Sequence, residues 1–164
     1  MLFRFESRVP APAKIIFSFH ENPACLALLH GGWSHLKVLK HPPQICVGAE
    51  TWIEQMVCKC VPVILGFQHH VYDPPHCFGE VLIHGPFSRF VHIHEFTEVA
   101  GETIIIDRLH LEWPWQFGGD LVMRWLIAPQ VKAMFRKRSD ALLRLWEEGT
   151  IQIKASEHEA SKPH

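Results

Sequence analysis

The alternation of apolar and polar residues predicts β-strands over the first two thirds of the chain. From Leu2 to Val9, Arg4, Glu6 and Arg8 fall on one side and the residues between them on the other, as in a half-buried strand. Further strands are predicted at His35 to Lys40, Val47 to Val61, Val63 to Tyr72, Phe78 to His84, Phe87 to Val99 and Glu102 to Trp113. No long helix separates these strands, so we expect the sheet to be antiparallel.

Two short helices are predicted directly after the first strand. Pro12 is suited to a first helical turn, and Ala13 to His20 reads as the first helix. Asn22 and Pro23 form an N-cap followed by a proline at the first helical position, which opens a second helix to about His30. Gly31-Gly32 is expected to end it.

The period changes to that of a helix after Gly118-Gly119. One broad apolar face is formed by Leu121, Trp125, Ala128, Val131, Phe135, Leu142, Leu145 and Trp146. Pro129 lies inside this pattern and should kink or break the helix, and Gly149 should end it. Residues 150–164 lack a clear pattern. We therefore expect one α+β domain over residues 1–149 and a flexible C-terminal tail over residues 150–164.

Composition and charge narrow the range of partners. The chain has 164 residues, of which 48% are hydrophobic and 20% charged, as in an ordinary globular domain. A net charge of -1 gives no reason to expect a nucleic acid. The charged residues near the N-terminus argue against a signal peptide, and no apolar run is long enough for stable membrane insertion. Five cysteines without a C-x-x-C pair favour reduced thiols and a cytoplasmic protein.

Several local motifs resemble the START-like (SRPBCC) superfamily, and those in the middle of the chain resemble a bacterial subgroup of uncharacterised proteins. The motifs are Val9-Pro10-Ala11-Pro12 with the helix after it, Tyr72-Asp73-Pro74-Pro75, Phe78, Gly85-Pro86-Phe87, the Phe90-x-His92-x-His94-x-Phe96 strand, Asp107, Pro114 and Met134-Phe135-x-x-Arg138. The resemblance implies a helix-grip fold, in which a curved antiparallel sheet wraps around a long C-terminal helix. It also implies an acidic residue soon after Phe78, a place that Glu80 takes.

The histidine pair is the most informative chemical feature. Residues two apart on a strand share a face, so His92 and His94 point the same way, and the two flanking aromatic residues suggest that this face is inward. On the next strand, Asp107 belongs to the mostly apolar face and should lie in the same interior. The predicted ligand-binding residues are Phe90, His92, His94, Phe96, Asp107, Leu109, Trp113 and Trp125.

Three functions remain open for this interior. The first is binding or transport of an apolar or aromatic small molecule, such as a lipid, quinone or polyketide-like compound, in an internal cavity, by a monomer or homodimer. The second is a cyclase or dehydratase with a histidine as general base. The third is an interaction module whose filled core contains the histidines only as a buried polar cluster. No cofactor is expected.

Two groups of residues have the side chains of a metal site. His92, His94 and Asp107 could form a set of two histidines and one carboxylate. A second possible group combines Cys58-x-Cys60 with His69, His70, His76 and Cys77. Its spacing matches no common zinc module, and paired histidines arise by chance in a chain with 13 of them. We therefore expect no metal in the native protein.

Overall fold

One sheet of antiparallel strands dominates the described residues of the chain. The computed structural model describes residues 1–30, 36–57 and 61–161. Its strands are β1 (Leu2–Val9), β2 (Leu36–Lys40), β3 (Glu50–Val57), β4 (Val61–Asp73), β5 (Cys77–His84), β6 (Arg89–Val99) and β7 (Glu102–Glu112). They pair in the order β1-β7-β6-β5-β4-β3-β2. Every neighbouring pair is antiparallel, which confirms the expected topology.

The β6–β7 hairpin shows why the sheet has this register. Ala100 and Gly101 both have positive φ angles, 53° and 82°, as a two-residue hairpin turn of the type that matches strand twist requires. The two residues that separate the predicted strands Phe87 to Val99 and Glu102 to Trp113 therefore form a tight turn. It fixes Val99 opposite Glu102, and every pair back to Arg89 opposite Glu112 follows without a shift. Because the side-chain period of a strand is two, this register decides which residues of β6 and β7 face inward.

Most of the helices lie where the sequence predicts them. Helix α1 (Ala13–Glu21) and helix α2 (Pro23–His30) follow β1. After β7 come a 3-10 turn (Trp115–Phe117), helix α3 (Gly119–Val122), a π-helical segment (Met123–Ile127) and the long helix α4 (Ala128–Glu147). The predicted stop at Gly31-Gly32 and the predicted strand start at His35 lie outside the described residues.

The irregularity expected near Pro129 is confirmed. Pro129 is in the first turn of α4, directly after the π-helical segment. A proline has no N–H to donate to the preceding turn, and its ring clashes with the carbonyl four residues earlier, so the backbone there widens. In the same turn, the carbonyl oxygen of Leu126 accepts a hydrogen bond from the Gln130 side-chain amide at 2.9 Å.

Helix α5 (Thr150–Ser161) corrects the prediction of a flexible tail. Ile151, Ala155 and His158 are buried at helical spacing. The helix is also fastened to α1, because Ser18 Oγ donates to Glu159 Oε1 at 2.7 Å and Asn22 Nδ2 donates to the Lys154 carbonyl at 3.0 Å. The expectation of a frayed segment is therefore wrong for residues 150–161.

The interior is divided into three apolar clusters on one face of the sheet. The first cluster lies beneath α1, α2 and α5 and includes Phe17, Phe78 and Phe96. The second lies beneath α4 and includes Leu109 and Phe135. The third is centred on Ile53, Leu65 and Phe67 of β3 and β4. With the long C-terminal helix packed on the sheet, the architecture is the α+β helix-grip fold.

Candidate ligand site on the inner face of the sheet

Two neighbouring rows of side chains bring polar groups together on the inner face of the sheet. In one row, His69 of β4 is opposite Glu80 of β5, and Glu80 is opposite His92 of β6. In the next row, His94 of β6 is opposite Asp107 of β7. Directly opposed residues of an antiparallel pair point to the same face, so the register itself assembles this group.

Asp107 is the centre of the group, because one of its oxygens lies near both histidines. His92 Nε2 donates a hydrogen bond to Asp107 Oδ1 at 3.0 Å. His94 Nδ1 is 2.7 Å from the same oxygen, but the oxygen lies off the direction of an Nδ1–H bond. His94 Nδ1 therefore has no hydrogen-bond partner among the described residues. The exposed fractions of His92, His94 and Asp107 are only 5%, 4% and 3%. These three residues are called the triad below.

A second carboxylate lies on the far side of His92. His92 Nδ1 is 3.7 Å from Glu80 Oε1, an ion-pair distance rather than that of a hydrogen bond. Burial lowers the pKa of His92, but the Asp107 and Glu80 carboxylates outweigh that effect and raise it above its usual value. Burial likewise raises the pKa of Glu80, but the neighbouring His92 leaves it lowered on balance. His92 is therefore the histidine of the triad that carries a proton most readily.

The other histidine of the triad is held neutral. Burial, followed by the charge of His92, lowers the pKa of His94 to about 4. His20 on α1 has its ring centroid 6.0 Å from that of His94, and burial, then Arg138, lowers the pKa of His20 to about 3. Burial raises the pKa of Asp107, but Arg138 of α4, followed by the two histidines, holds it well below its usual range. The group thus combines two carboxylates whose pKa values are lowered with His92, whose pKa is raised, and with the charge of Arg138 nearby.

Aromatic rings close over this polar group. The Phe135 ring of α4 lies edge-on to His92 with centroids 5.7 Å apart, and it stacks on Phe5 of β1 at 4.0 Å. On the other side, Phe78 packs against His94 at 4.5 Å. An open cavity would leave accessible surface on its lining, and the triad has almost none. Among the described residues, the space beside the triad is therefore filled by side chains.

The structure brings most of the predicted ligand-binding residues into this interior. Phe96 and Leu109 are buried, and Phe90 and Trp113 are half-buried. Phe90 lies 6.5 Å from His92 between ring centroids, whereas Trp113 packs on Phe87 at 5.5 Å. Trp125 is different, because its side chain is largely exposed in the π-helical segment. Its role in ligand binding stays a prediction.

Four further residues of the group were not among the predicted ligand-binding residues. They are Glu80, His69, His20 and Arg138. Glu80 is flagged only by the family resemblance, and the parity of β5 puts it on the face of Phe78. His69 is buried, its Nε2 is 3.4 Å from Thr51 Oγ1, and its Nδ1 has no hydrogen-bond partner among the described residues. The sequence did not distinguish His69 as a site residue, because it lies next to His70, whose side chain is exposed.

The triad could also hold a metal ion, since one ligand atom from each residue lies within 4.8 Å of the others. Two neutral histidines and one carboxylate suit a divalent transition metal. The environment opposes it, because a metal ion would compete with the proton that the raised pKa of His92 favours and would add a positive charge near Arg138. The second predicted group is not assembled, because His69 is buried while His70 and His76 are exposed. Its Cys58 and Cys60 lie outside the described residues.

The chain is similar to known proteins in fold alone. No protein-family model and no curated protein matches the sequence. Protein Ms6760 from Mycobacterium smegmatis is 13% identical with a TM-score of 0.69, over 90% of this chain and 91% of that one. TTHA0849 from Thermus thermophilus is 17% identical with a TM-score of 0.65, over 88% and 98%. Ara h 8.0201 is 9% identical with a TM-score of 0.58, over 88% and 98%. These likenesses support the helix-grip assignment.

Proposed function

We propose that this chain binds a small apolar or aromatic molecule with one polar group, held between the sheet and α4 and anchored by the triad. The observation that carries the proposal is the set of titratable side chains inside an otherwise apolar interior, with the Asp107 carboxyl held ionised by its lowered pKa. Burying charges costs stability, and well-packed apolar residues would stabilise the same core at least as well. A requirement beyond folding explains why Asp107, Glu80 and His92 occupy these positions.

The unpartnered nitrogen gives the anchor its chemistry. His94 Nδ1 is buried, close to Asp107 and without a hydrogen bond among the described residues. A neutral imidazole can donate or accept, so it suits the hydroxyl or carbonyl oxygen of a ligand. The surrounding Phe78, Phe90 and Phe135 rings suit an apolar or planar body. A lipid, a quinone and a polyketide-like compound all combine these two features.

Binding requires side chains over the triad to move. Phe135 is the residue of α4 that lies nearest to His92 among the ring contacts, and it contacts Phe5 of the sheet rather than another helix. A rotation of this ring, or a small displacement of α4, would open space next to both histidines. The π-helical segment before α4 is wider than an α-helix, with hydrogen bonds that span five residues instead of four, and it is a place where α4 could shift.

The experiment combines ligand discovery with matched variants. Native mass spectrometry of the freshly purified protein should detect a co-purified small molecule, and 1-anilinonaphthalene-8-sulfonate provides a probe of apolar binding. His94→Gln should weaken probe binding by roughly tenfold while the protein stays folded, because one polar anchor is replaced. His76→Gln, at an exposed histidine, is the control. Unchanged probe binding in His94→Gln together with a large loss of stability would indicate a filled polar core and refute the proposal.

A second candidate is acid–base catalysis at the same place. His92 lies between Asp107 and Glu80, and the raised pKa of its imidazole suits a proton donor or acceptor near neutral pH. A cyclase or dehydratase would use such a group. Turnover of the co-purified compound, lost in His92→Gln and retained in His76→Gln, would favour this candidate over a carrier.

The fold also supports membership of the START-like (SRPBCC) superfamily, with a cytoplasmic location. Cys25, Cys46 and Cys77 are free thiols, as expected for a reducing compartment. Burial raises the pKa of the Cys25 thiol to about 12, so this cysteine is inert rather than nucleophilic. Intact mass before and after thiol alkylation, without a reductant, tests the expectation that all five cysteines are reduced.

A further inference from the structure

Large apolar side chains are exposed on the segment that connects the sheet to α4. They are Trp115, Phe117, Leu121, Trp125 and Leu126, with exposed fractions from 49% to 85%. Five such residues within twelve positions form a contiguous stretch of chain rather than the scattered single residues normal on protein surfaces. This set of five residues is called the apolar tip below.

The apolar tip is an ordered region of the structure. Trp113 Nε1 donates a hydrogen bond to the Phe117 carbonyl at 2.9 Å, which closes the 3-10 turn. Gly118 has a φ of 98° and turns the chain into the helix. Leu121 and Trp125 are four residues apart and therefore follow each other on one side of the helical segment. The exposed rings are thus presented on a fixed scaffold.

Basic residues follow the apolar tip along the same helix. Between residues 115 and 137 the chain has four basic residues, Arg124, Lys132, Arg136 and Lys137, against the single acid Asp120. This region therefore has an excess of positive charge, whereas the whole chain has a net charge of -1. Arg124, Lys132 and Arg136 are exposed.

We propose that the apolar tip docks on the surface of an anionic lipid membrane. Tryptophan has an apolar ring and a polar N–H, and it prefers the boundary between acyl chains and headgroups. Leucine and phenylalanine enter the same boundary, while the neighbouring cations lie against anionic headgroups. A second copy of the chain fits the apolar tip less well. A two-fold contact there would bring the basic region of one copy, with Arg124, Lys132 and Arg136, close to the same region of the other.

This docking is peripheral. None of the helices in residues 1–30, 36–57 and 61–161 is long and apolar enough to cross a bilayer. The apolar tip reaches the interior through Trp113, which packs on Phe87 in the apolar cluster beneath α4. A membrane contact here would therefore place lipid next to the apolar cluster beneath α4. The proposed docking does not depend on whether the triad binds a ligand.

Vesicle co-sedimentation tests the proposal with the purified full-length chain. Vesicles of phosphatidylcholine with about 30 mol% phosphatidylglycerol should bind the protein, and pure phosphatidylcholine vesicles should bind it more weakly. About 0.5 M sodium chloride should reduce binding to the anionic vesicles, because it screens the basic residues. Absence of binding to both kinds of vesicle would overturn the proposal.

Matched variants locate the contact. Leu121→Glu/Trp125→Glu should weaken vesicle binding by roughly tenfold or more, because two apolar contacts are replaced by acids. Lys132→Glu/Arg136→Glu should weaken it by roughly fivefold for each side chain, on anionic vesicles only. Ile153→Glu, an exposed apolar residue of α5, is the control and should bind like the unmodified chain. Equal binding of all variants, or sedimentation velocity showing a dimer that Leu121→Glu/Trp125→Glu abolishes, would refute membrane docking.

Discussion

Asp107 and His94 face each other across the β6–β7 pair, and Asp107 Oδ1 lies 2.7 Å from His94 Nδ1. The same oxygen accepts the hydrogen bond of His92 Nε2 at 3.0 Å. The two imidazole centroids are only 4.0 Å apart, so protonation of one ring opposes protonation of the other. Although burial opposes it, the neighbouring carboxylates raise the pKa of His92, whereas burial and His92 lower the pKa of His94. The predictions for the triad follow from this difference.

Replacing the shared carboxylate should be costly. Asp107→Asn removes the buried carboxylate that accepts the His92 hydrogen bond and lies beside His94, and we expect it to lower the free energy of unfolding by about 3 kcal/mol or more. Urea denaturation at neutral pH measures the loss. The matched control is Glu95→Gln, whose partner Arg108 lies 2.9 Å away on the exposed face, and it should cost at most about 1 kcal/mol. Equal losses for both variants would contradict a buried charged centre.

The second carboxylate should control the proton on His92. Glu80→Gln removes the negative charge on the Nδ1 side, so the pKa of His92 should fall toward its usual value although Asp107 remains. Titration of the histidine ring protons by NMR measures this shift. Asp73→Asn, beside the exposed His76, should leave the His92 titration unchanged. A His92 titration that does not respond to Glu80→Gln would mean that Asp107 alone raises its pKa.

Stability should fall as the pH is lowered below about 6.5. The pKa values of His20 and His94 are lowered to about 3 and about 4 by burial, so in this range the unfolded chain binds protons that the native chain does not. The raised pKa of His92 acts in the opposite direction, because its contribution is present at low pH and is lost as the pH rises. Burial also lowers the pKa values of His41 and His69, so four histidines are lowered against one raised, and the net change should favour unfolding at pH 5.

Urea denaturation at pH 7 and pH 5 measures this dependence. His94→Gln should reduce the difference in unfolding free energy between the two pH values, on the order of 1–2 kcal/mol, because one of the groups is removed. His76→Gln should leave the difference unchanged. Equal stability at both pH values would mean that the native and the unfolded chain bind the same number of protons in this range. It would contradict the lowered pKa values of His20 and His94.

Local periodicity predicted most of the strands and helices, and the resemblance of the motifs implied how they are arranged. The alternation from Phe90 to Phe96 placed His92 and His94 on one face, and the flanking aromatic residues suggested that this face is inward. The burial of His92, His94 and Asp107 confirms that orientation. Their role toward a ligand stays a prediction. The hairpin at Ala100-Gly101 was also local, and it aligned the two strands.

Glu80, His69 and Arg138 lie near the triad only because of long-range contacts, which local sequence patterns do not predict. Glu80 meets His92 only through the β5–β6 register, and His69 joins them across a β4–β5 pair whose register shifts. Arg138 acts on Asp107 only once α4 has docked on the sheet. Helix α5 escaped prediction because its buried positions Ile151, Ala155 and His158 include only one large apolar side chain.

Helix α5 should contribute to the stability of the whole domain. Ile151 is completely buried against the cluster beneath α1, α2 and α5, whereas Ile153, two residues later, is 58% exposed. Ile151→Ala leaves a cavity and should lower the free energy of unfolding by about 2–5 kcal/mol. Ile153→Ala removes the same atoms from an exposed position and should change it by at most about 0.5 kcal/mol. Urea denaturation of both variants provides the comparison, and the two substitutions should cost the same if residues 150–161 do not pack on the domain in solution.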